Sequence, residues 1–459
     1  MALENIINGE SQDIIMGFKI YNTQSRKLEV FRPIEKGKVK IYVCGPTVND
    51  VPHLGHARQQ IIYDVLRKYL EFRDYHVTFV CNVTDVDDKI IDNANKLGMN
   101  INDFIEKNLR AHIEDYRKIG VSKPDLQPRA TEYIDEMISL IKLLEGKGYT
   151  YVIPSDGVYY DISKFEEYGK LSGQNIEELR AGARIDVKDK KRNAEDFVLW
   201  KFSKPNEPEW DSPWGKGRPG WHIECSAMSE SILGLPFDIH GGGQDLIFPH
   251  HEDEVAQSEA AYGKKLVNYW VHNGLVNVNN VKMSKSLGNF KTIRDLLEMY
   301  PGEVIRFFVL SAQYRKPIDF SKESLDNAKR SYIRLKNILE EIEDDGRVNQ
   351  DYLNRYILAM DDDLNTPVAL SAIWQLLRDR NASGKYQTIQ QIDLVFGLNL
   401  LDKQKTSSIP QNVQMLMQER ADARRDRNWA LADQRRKEIE ELGWLLNDTP
   451  TGQRIKKKE

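Results

Sequence analysis

Between Lys38 and Val83 the chain reads strand, helix, strand. Lys38–Val43 (KVKIYV) is a short apolar run that stops at Cys44-Gly45-Pro46-Thr47. From about Ala57 to Phe72, apolar residues recur at Ile61, Ile62, Val65, Leu66, Tyr69 and Leu70, which is one face of a helix. Asn49, Asp50 and Pro52 are helix-start signals ahead of it, and His76–Val83 (HVTFVCNV) is a second apolar, β-branched run. Two such strands and one helix, in about 45 residues, read as a βαβ unit of a parallel sheet with helices on its faces, so the expected class is α/β. Ligands of such sheets gather at the carboxyl ends of the strands. Here those ends are Cys44 and Thr84–Asp88.

The remaining chain sorts around this unit. Glu114–Asp189 is richer in charge and reads as an insertion of helices and short strands. Glu195–Met228 carries Trp200, Trp210, Trp214 and Trp221 among Pro205, Pro208, Pro213 and Pro219, and reads as irregular, aromatic-packed loop. Ile239–Asp245 ends another sheet segment, a helix follows over Glu252–Tyr262, and Leu275–Lys282 alternates about Asn279-Asn280 as a hairpin does. From about Thr292 the pattern is helical, and Lys403–Asn412 (KQKTSSIPQN) reads as a linker before a piece of about 50 residues. No internal repeat is found.

The 459 residues are 40% apolar, enough for two to four domains with a sizeable core. No stretch reaches the length of a membrane span before a charge breaks it, and Met1–Met16 lacks the basic-then-apolar pattern of an export signal. Three well-separated cysteines rule out a disulfide scaffold and fit a reducing, cytoplasmic setting. A net charge of -5 gives no global case for nucleic-acid binding, so any such case must be local.

Two short motifs carry chemistry. His53-Leu54-Gly55-His56 places imidazoles at i and i+3 in a first helical turn, where backbone N–H groups and the helix dipole favour an anion and Gly55 permits close approach. By itself this is more often a pair of surface histidines. Lys282-Met283-Ser284-Lys285-Ser286 follows the hairpin and precedes Gly288-Asn289. Its two lysines can close on phosphates and neutralise a pyrophosphate leaving group.

HLGH early and KMSKS late, on a βαβ chain, resemble the class I aminoacyl-tRNA synthetases, whose signatures are HIGH and KMSKS; Leu54 for Ile changes no phosphate-touching group. YVCGPTV at 42–48, NVTDVDDKI at 82–90, GRPGWHIECSAM at 217–228 and HGGGQDLIFPHHEDE at 240–254 resemble the cysteine-specific members, from about Gly17 to the end. The resemblance implies a Rossmann-like catalytic domain in two halves (17–120 and 200–291) behind an N-terminal arm (1–16). It also implies a connective insertion (121–199), a stem-contact region (292–325), an α-helical bundle (326–402), a linker (403–412) and a small, helix-rich anticodon-binding domain (413–459).

It implies roles as well. His53, His56, Lys282 and Lys285 are the catalytic set, and Pro46, Thr47, His53, Gly55, His56, Gly241, Gly242, Gly243, Asp245 and Lys285 bind ATP, with magnesium on the triphosphate. Thr84, Trp221 and His240 line the cysteine pocket. Cys44, Cys225, His250 and Glu254 hold one zinc ion. Spacing alone leaves those four scattered, with His250 and Glu254 at i, i+4 the only local pair, and buried cysteines are ordinarily core residues. His251 and Glu252 are expected to point off that helix face, and Cys81 is assigned to packing. Asp85, Asp87 and Asp88 are read as orienting or capping groups.

Zinc answers a selection problem. Cysteine differs from serine by sulfur for oxygen, and an apolar pocket gains only about 1–3 kcal/mol from one such group, whereas a ~10⁴ preference needs about 5.5 kcal/mol. A thiol is deprotonated outright on zinc; a hydroxyl is a far weaker acid and a harder ligand.

The C-terminal run of Arg420, Arg424, Arg425, Arg427, Arg435, Arg436 and Lys437, with Trp429 and Trp444 on a helical pattern, is by charge alone more often a solvated face than an RNA contact. The resemblance makes it an anticodon-binding module for tRNA(Cys), with one departure: Ile455 stands where the family often has Trp. The expected protein is thus a monomeric ligase acting on L-cysteine, ATP and tRNA(Cys), with no membrane partner. A relative that passes cysteine to an amino sugar would share every active-site motif but generally lacks the C-terminal module. A non-catalytic RNA-binding paralogue should have lost HLGH, KMSKS or a zinc ligand.

Overall fold

The computed structural model describes residues 17–174, 191–278, 281–282, 291–402, 410–449 and 452–457. Strands β1 (Lys19–Asn22) and β2 (Lys27–Val30) form a hairpin ahead of β3 (Lys38–Val43), α1 (Leu54–Phe72) and β4 (His76–Cys81). The six apolar positions expected to face inward on α1 are all buried, and β3 pairs with β4 in parallel from Lys38↔His76 to Val43↔Cys81. The βαβ unit is therefore present. The helix starts at Leu54, earlier than its apolar pattern suggests, and His53 rather than Asn49 or Asp50 caps it.

Helices α2 (Asp88–Lys96) and α3 (Ile101–Lys118) follow, then α4 (Ile134–Gly146) and the strands β5 (Thr150–Ile153), β6 (Gly157–Tyr160), β7 (Phe197–Phe202) and β8 (Gly217–Pro219). These four strands make an antiparallel sheet in that order. The boundary expected at 199/200 falls inside β7, so strand pairing carries this sheet to Pro219. The stretch expected to be irregular thus contains two strands and the start of α5 (Trp221–Leu233). Its prolines hid them: Pro219 lies on the edge strand, the one place in a sheet where a missing N–H is tolerated.

β9 (Phe237–Gly243), α6 (Glu252–Tyr262) and β10 (Val267–Asn273) complete the central parallel sheet, ordered β10-β9-β3-β4. β11 (Val276–Val278) and β12 (Val281–Lys282) form the expected hairpin, with Val278 opposite Val281. Then come α7 (Ile293–Leu297), α8 (Gly302–Leu310), β13 (Ile318–Phe320), α9 (Lys322–Leu339), α10 (Gln350–Asp361), α11 (Thr366–Arg378) and α12 (Lys385–Phe396). One hydrophobic cluster joins α1 and the sheet to α8 and α10–α12, while a second lies beneath α4, α5, α6 and the antiparallel sheet.

Residues 402–459 are a separate unit. α13 (Gln411–Arg425) and α14 (Trp429–Glu441) precede an antiparallel hairpin, β14 (Trp444–Thr449) with β15 (Gly452–Lys457). The helical pattern expected to take in Trp444 therefore stops earlier. Gly443, at φ 81°, takes the left-handed conformation that ends helices, and beyond it Trp444 and Leu446 turn inward while Leu445 stays exposed.

A buried arginine ties the first unit together. Arg306 on α8 donates to Asp64 on α1, to Gly120 O at 3.0 Å and to Phe396 O at the end of α12. Burial by itself would raise the Asp64 carboxyl, but the Arg306 guanidinium and the Lys68 ammonium, 2.9 Å away, outweigh it and hold that carboxyl below its ordinary range. A depressed carboxylate stabilises above its unfolded pKa of about 3.9 and loses that contribution as pH falls through the lower folded value. Arg306→Met should cost about 3–5 kcal/mol, because it strands a buried charge. Urea unfolding followed by tryptophan fluorescence would show it as a lowered midpoint. In wild-type protein the Asp64 contribution should persist to about pH 4 and fade below it.

Candidate active site and metal cluster

In the central sheet β3 lies between β4 and β9, strands separated by some 150 residues of helix and insertion. The pairing of β3 with β9 (Tyr42↔His240, Val43↔Gly241) is the place where strand order reverses, and ligands of parallel sheets bind there. The Cys44 N–H closes the junction by donating to Gly241 O at 3.0 Å. The Cys44 thiol projects from this junction.

Around it gather side chains from three more places. Cys225 on α5 brings Sγ to 3.3 Å of Cys44 Sγ. His250 Nε2 lies 3.5 Å and Glu254 Oε1 3.4 Å from the same sulfur, and His250 Nε2 to Glu254 Oε1 is 3.1 Å. All four residues expected to hold a metal therefore meet, fully buried. His251 meets them too: its Nε2 is 3.3 Å from Cys44 Sγ, and the ligand atoms of Cys44, His250, His251 and Glu254 lie within 4.8 Å of one another. The expectation that His251 points away is wrong. α6 begins only at Glu252, and residues 247–251 form a wider π turn with Phe248 out of helical geometry, so α-helical spacing does not govern the two histidines. Glu252 does point elsewhere, accepting from the N–H groups of Gly169 and Ser172.

His240, expected in the cysteine pocket, and two histidines that sequence reasoning passed over, His222 and His272, support this cluster. His240 Nε2 is 2.8 Å from Glu254 Oε2, His250 Nδ1 is 3.0 Å from His222 Nδ1, and His251 Nδ1 is 2.7 Å from His272 Nε2. His272 continues to the Thr23 hydroxyl at 2.7 Å. His222 was visible inside GRPGWHIECSAM, whereas nothing near His272 marks it. Such outer partners fix ring orientation at metal sites. Burial pushes the Cys44 and Cys225 thiols up and the His250 and His251 imidazoles down, with His222 and His272 lowered to about 3. Soft and borderline donors converge where burial penalises every charged form and no Lys or Arg pairs with Glu254 among the described residues. That donor set fits a soft-to-borderline cation.

Beside the cluster opens a cavity of about 660 Å³, a size suited to a mononucleotide with a small substituent. Pro46, Thr47, His53, Gly55, His56, Gly243, Asp245 and Trp221 line it, all expected from the sequence. Cys44 of the cluster lines it as well, and the indole of Trp221 stacks on the His250 ring at 4.1 Å, so the cluster borders the cavity directly. His53 and His56 form a capping box: Gly55 N donates to His53 Nδ1 at 3.0 Å, His53 N donates to His56 Nδ1 at 3.3 Å, and the rings stack at 3.8 Å. A ring whose Nδ1 accepts is neutral and carries its proton on Nε2, so both histidines are donors at that atom.

Four expected residues do not reach the cavity wall. Thr84 is buried with its hydroxyl donating to Glu224 Oε2 at 2.6 Å, and His240 lies behind Glu254. Gly241 and Gly242 sit beneath the wall. A Cβ on Gly241 would come within 2.3 Å of the Tyr63 ring, whose hydroxyl bonds both Gly242 and Val271. Lys282 ends β12, and Lys285 lies outside the described residues. The chain just after that motif is fastened to HLGH: Leu54 N donates to Lys291 O at 3.1 Å and Ile293 N to Pro52 O at 3.0 Å.

Residues 30–330 match the family described as tRNA synthetases class I (C) catalytic domain, 355–401 match the DALR domain, and 406–455 match the Cysteinyl-tRNA ligase anticodon binding domain. A Cysteine--tRNA ligase of Thermococcus gammatolerans is 47% identical over 95% of this chain and 98% of its own. Those of Clostridioides difficile (46%, 96% and 100%) and Methylobacillus flagellatus (48%, 95% and 98%) are equally similar. The chain belongs to the cysteinyl-tRNA ligase family. Its fold is also that of other class I synthetases. A Mycobacterium tuberculosis methionyl-tRNA synthetase bound by methionyl-adenylate has TM-score 0.57 at 15% identity, covering 79% of this chain and 90% of that one. A leucyl enzyme from Agrobacterium radiobacter has TM-score 0.57 at 11%, covering 81% and 84%.

In this family member's C-terminal unit, most of the arginines that suggested RNA contact are used internally. Arg420, buried, forms a two-pronged pair with Asp448 and also reaches Gln453, Arg424 joins the same carboxylate, and Arg435 pairs with Glu419. Ile455, where the family often has Trp, pairs with Leu446 and packs on the small core of Val413, Ile439 and Trp444. Trp429 remains exposed.

If Gly241 serves packing rather than nucleotide approach, Gly241→Ala should destabilise by about 1–3 kcal/mol through the clash with Tyr63. Differential scanning calorimetry would register this as a lowered transition, and KM for ATP in the folded fraction should stay within about twofold.

Proposed function

We propose that this chain joins L-cysteine to tRNA(Cys) in two steps within the cavity beside the metal cluster. In the first, the cysteine carboxylate attacks the α-phosphorus of ATP, the bond to the bridging oxygen breaks, and pyrophosphate leaves. His53 and His56 donate from Nε2 to phosphate oxygens, an orientation their capping bonds set in advance, and Lys282 and Lys285 neutralise the departing charge. Gly243 and Asp245 hold the adenosine, the carboxylate accepting from a ribose hydroxyl. In the second step the 2′-hydroxyl of the terminal ribose of tRNA attacks the activated carbonyl and AMP leaves. No side chain is needed as a covalent nucleophile.

Cys44, Cys225, His250 and Glu254 would hold zinc, with His240, His222, His251 and His272 orienting that set. When bound, zinc supplies a partner for the substrate sulfur that a serine hydroxyl cannot match. Trp221 walls the amino-acid pocket over His250, and Thr84 and His240 lie behind it. The observation that carries this reading is the meeting of two thiols, imidazole and carboxylate directly against the cavity that HLGH lines. The C-terminal unit favours tRNA over an amino sugar as acceptor, since a ligase for a small amine has no use for an anticodon-binding module. No described helix is long and apolar enough to cross a membrane. The reading carries with it a cytoplasmic location and a monomeric state, open to fractionation and sedimentation.

Cys225→Ser should lower zinc content and cysteine-dependent ATP–pyrophosphate exchange together. Full exchange activity in zinc-free mutant protein would overturn the metal assignment. Truncation after Leu401 should leave adenylate formation nearly intact and reduce kcat/KM for tRNA by at least tenfold. An unchanged value would remove the C-terminal unit from tRNA recognition.

A further inference from the structure

The segment NVTDVDDKI contributes an element that the two-step reading leaves unused. α2 is a short amphipathic helix. Ile90 and Ala94 are buried with Val48, Val83 and Phe104, and its other face carries Lys89, Asp92, Asn93 and Lys96 at i, i+3, i+4 and i+7. All four line the same cavity as His53 and His56.

The helix is held rigidly. Asp87 caps it through Lys89 N at 2.8 Å, and Asp88 ties it to the insertion sheet through Lys201 at 2.8 Å and Arg218. Asn93 Nδ2 donates to Asn49 O at 2.9 Å, Asn108 Nδ2 to Val48 O at 3.1 Å and His112 Nε2 to Asp50 O at 2.9 Å, so the loop that leads into HLGH is pinned against α2 and α3. Two of the acids nearest the lysines are thereby occupied. Asp92 shares their face, yet neither lysine forms an ion pair among the described residues. Lys89 also stands in the first turn of its helix, where the dipole disfavours a cation. A residue that breaks a local rule while exposed in a cavity is a candidate for function.

We propose that Lys89 and Lys96 form a cationic wall, in the cavity that HLGH also lines, that binds phosphate oxyanions. Two bound molecules of the proposed reaction offer that chemistry: the triphosphate with its pyrophosphate product, and the phosphodiesters of the 3′-terminal strand of tRNA. The inference rests on the ligase reading for the identity of those molecules, but its first test does not need activity. Wild-type full-length chain is treated with an amine-reactive acetylating reagent with inorganic tripolyphosphate, with a short single-stranded RNA ending in CCA, or with neither. Mass spectrometry then reads acetylation at Lys89 and Lys96. Protection of both by at least about threefold, with Lys264 and Lys265 on the turn after α6 unaffected, is expected; no protection by either probe overturns the proposal.

Kinetics of K89A/K96A then separate the sources. A rise of about tenfold in KM for ATP and pyrophosphate during exchange assigns the wall to the triphosphate. A similar rise in KM for tRNA with exchange unchanged assigns it to RNA, and the salt dependence of tRNA binding should then become shallower by about 0.7 in slope for each phosphate no longer neutralised. The charge-retaining K89R/K96R pair should recover most of either loss. Changes below twofold in every KM, or equal damage in the arginine pair, would overturn the proposal. Wild-type chain that shows no cysteine-dependent exchange would instead sink the ligase reading and leave the protection result standing.

Discussion

The parallel pairing of β3 with β9 is the constraint on which the site depends. It is short, from Ile41↔Ile239 to Val43↔Gly241, and joins segments nearly 200 residues apart in sequence. Through it the Cys44 thiol, at the end of one strand, comes under the turn that follows the other, where His250, His251 and Glu254 converge. Gly241 and Gly242 serve this junction. Without side chains they let the Tyr63 ring and the His251 imidazole close against the strand, and the Tyr63 hydroxyl then bonds β9 to β10.

From the junction outward the site is layered by polarity. Innermost are thiols, imidazoles and a carboxylate, all buried and with no Lys or Arg in ion-pair contact among the described residues, an arrangement that burial makes costly unless a cation joins it. Next comes a shell of histidines bonded ring to ring. Cys44, together with Trp221 stacked on His250, joins this region to the cavity that HLGH lines, where two imidazoles offer Nε2 protons because their Nδ1 atoms cap the helix on which they sit. The same motif thus does two things: it terminates α1 and it aims donors.

The βαβ unit, the hairpin at 276–282 and the helix over Glu252–Tyr262 were legible because their signal is local, in apolar spacing of two or 3.6 residues and turn residues at the ends. The short strands at 197–202 and 217–219 were not, since their prolines and tryptophans read as loop until the edge position of Pro219 is known. In the C-terminal unit a charge pattern suggested more RNA contact than remains once Arg420, Arg424 and Arg435 are seen paired within the unit. Ile455 is explained by the same packing: its place opposite Leu446 makes it part of a very small core.

For the site, residue type and local order determined that a helix start suited to an anion, a lysine motif suited to a pyrophosphate leaving group and a set of metal-competent side chains exist in this chain. Spacing of residues 250 and 254 even placed two donors together. Which donors meet was decided only in three dimensions. The π turn at 247–251 swings His251 beside Cys44, and the sheet brings His240 behind Glu254 and sets His272 against His251, because ligand geometry depends on backbone paths that no i, i+4 rule covers. Likewise nothing in the sequence marks Lys89, whereas burial of Ile90 and Ala94 on the other face of its helix leaves it lining the cavity. Local patterns write the chemistry available; long-range pairing and burial select which of it shares one place.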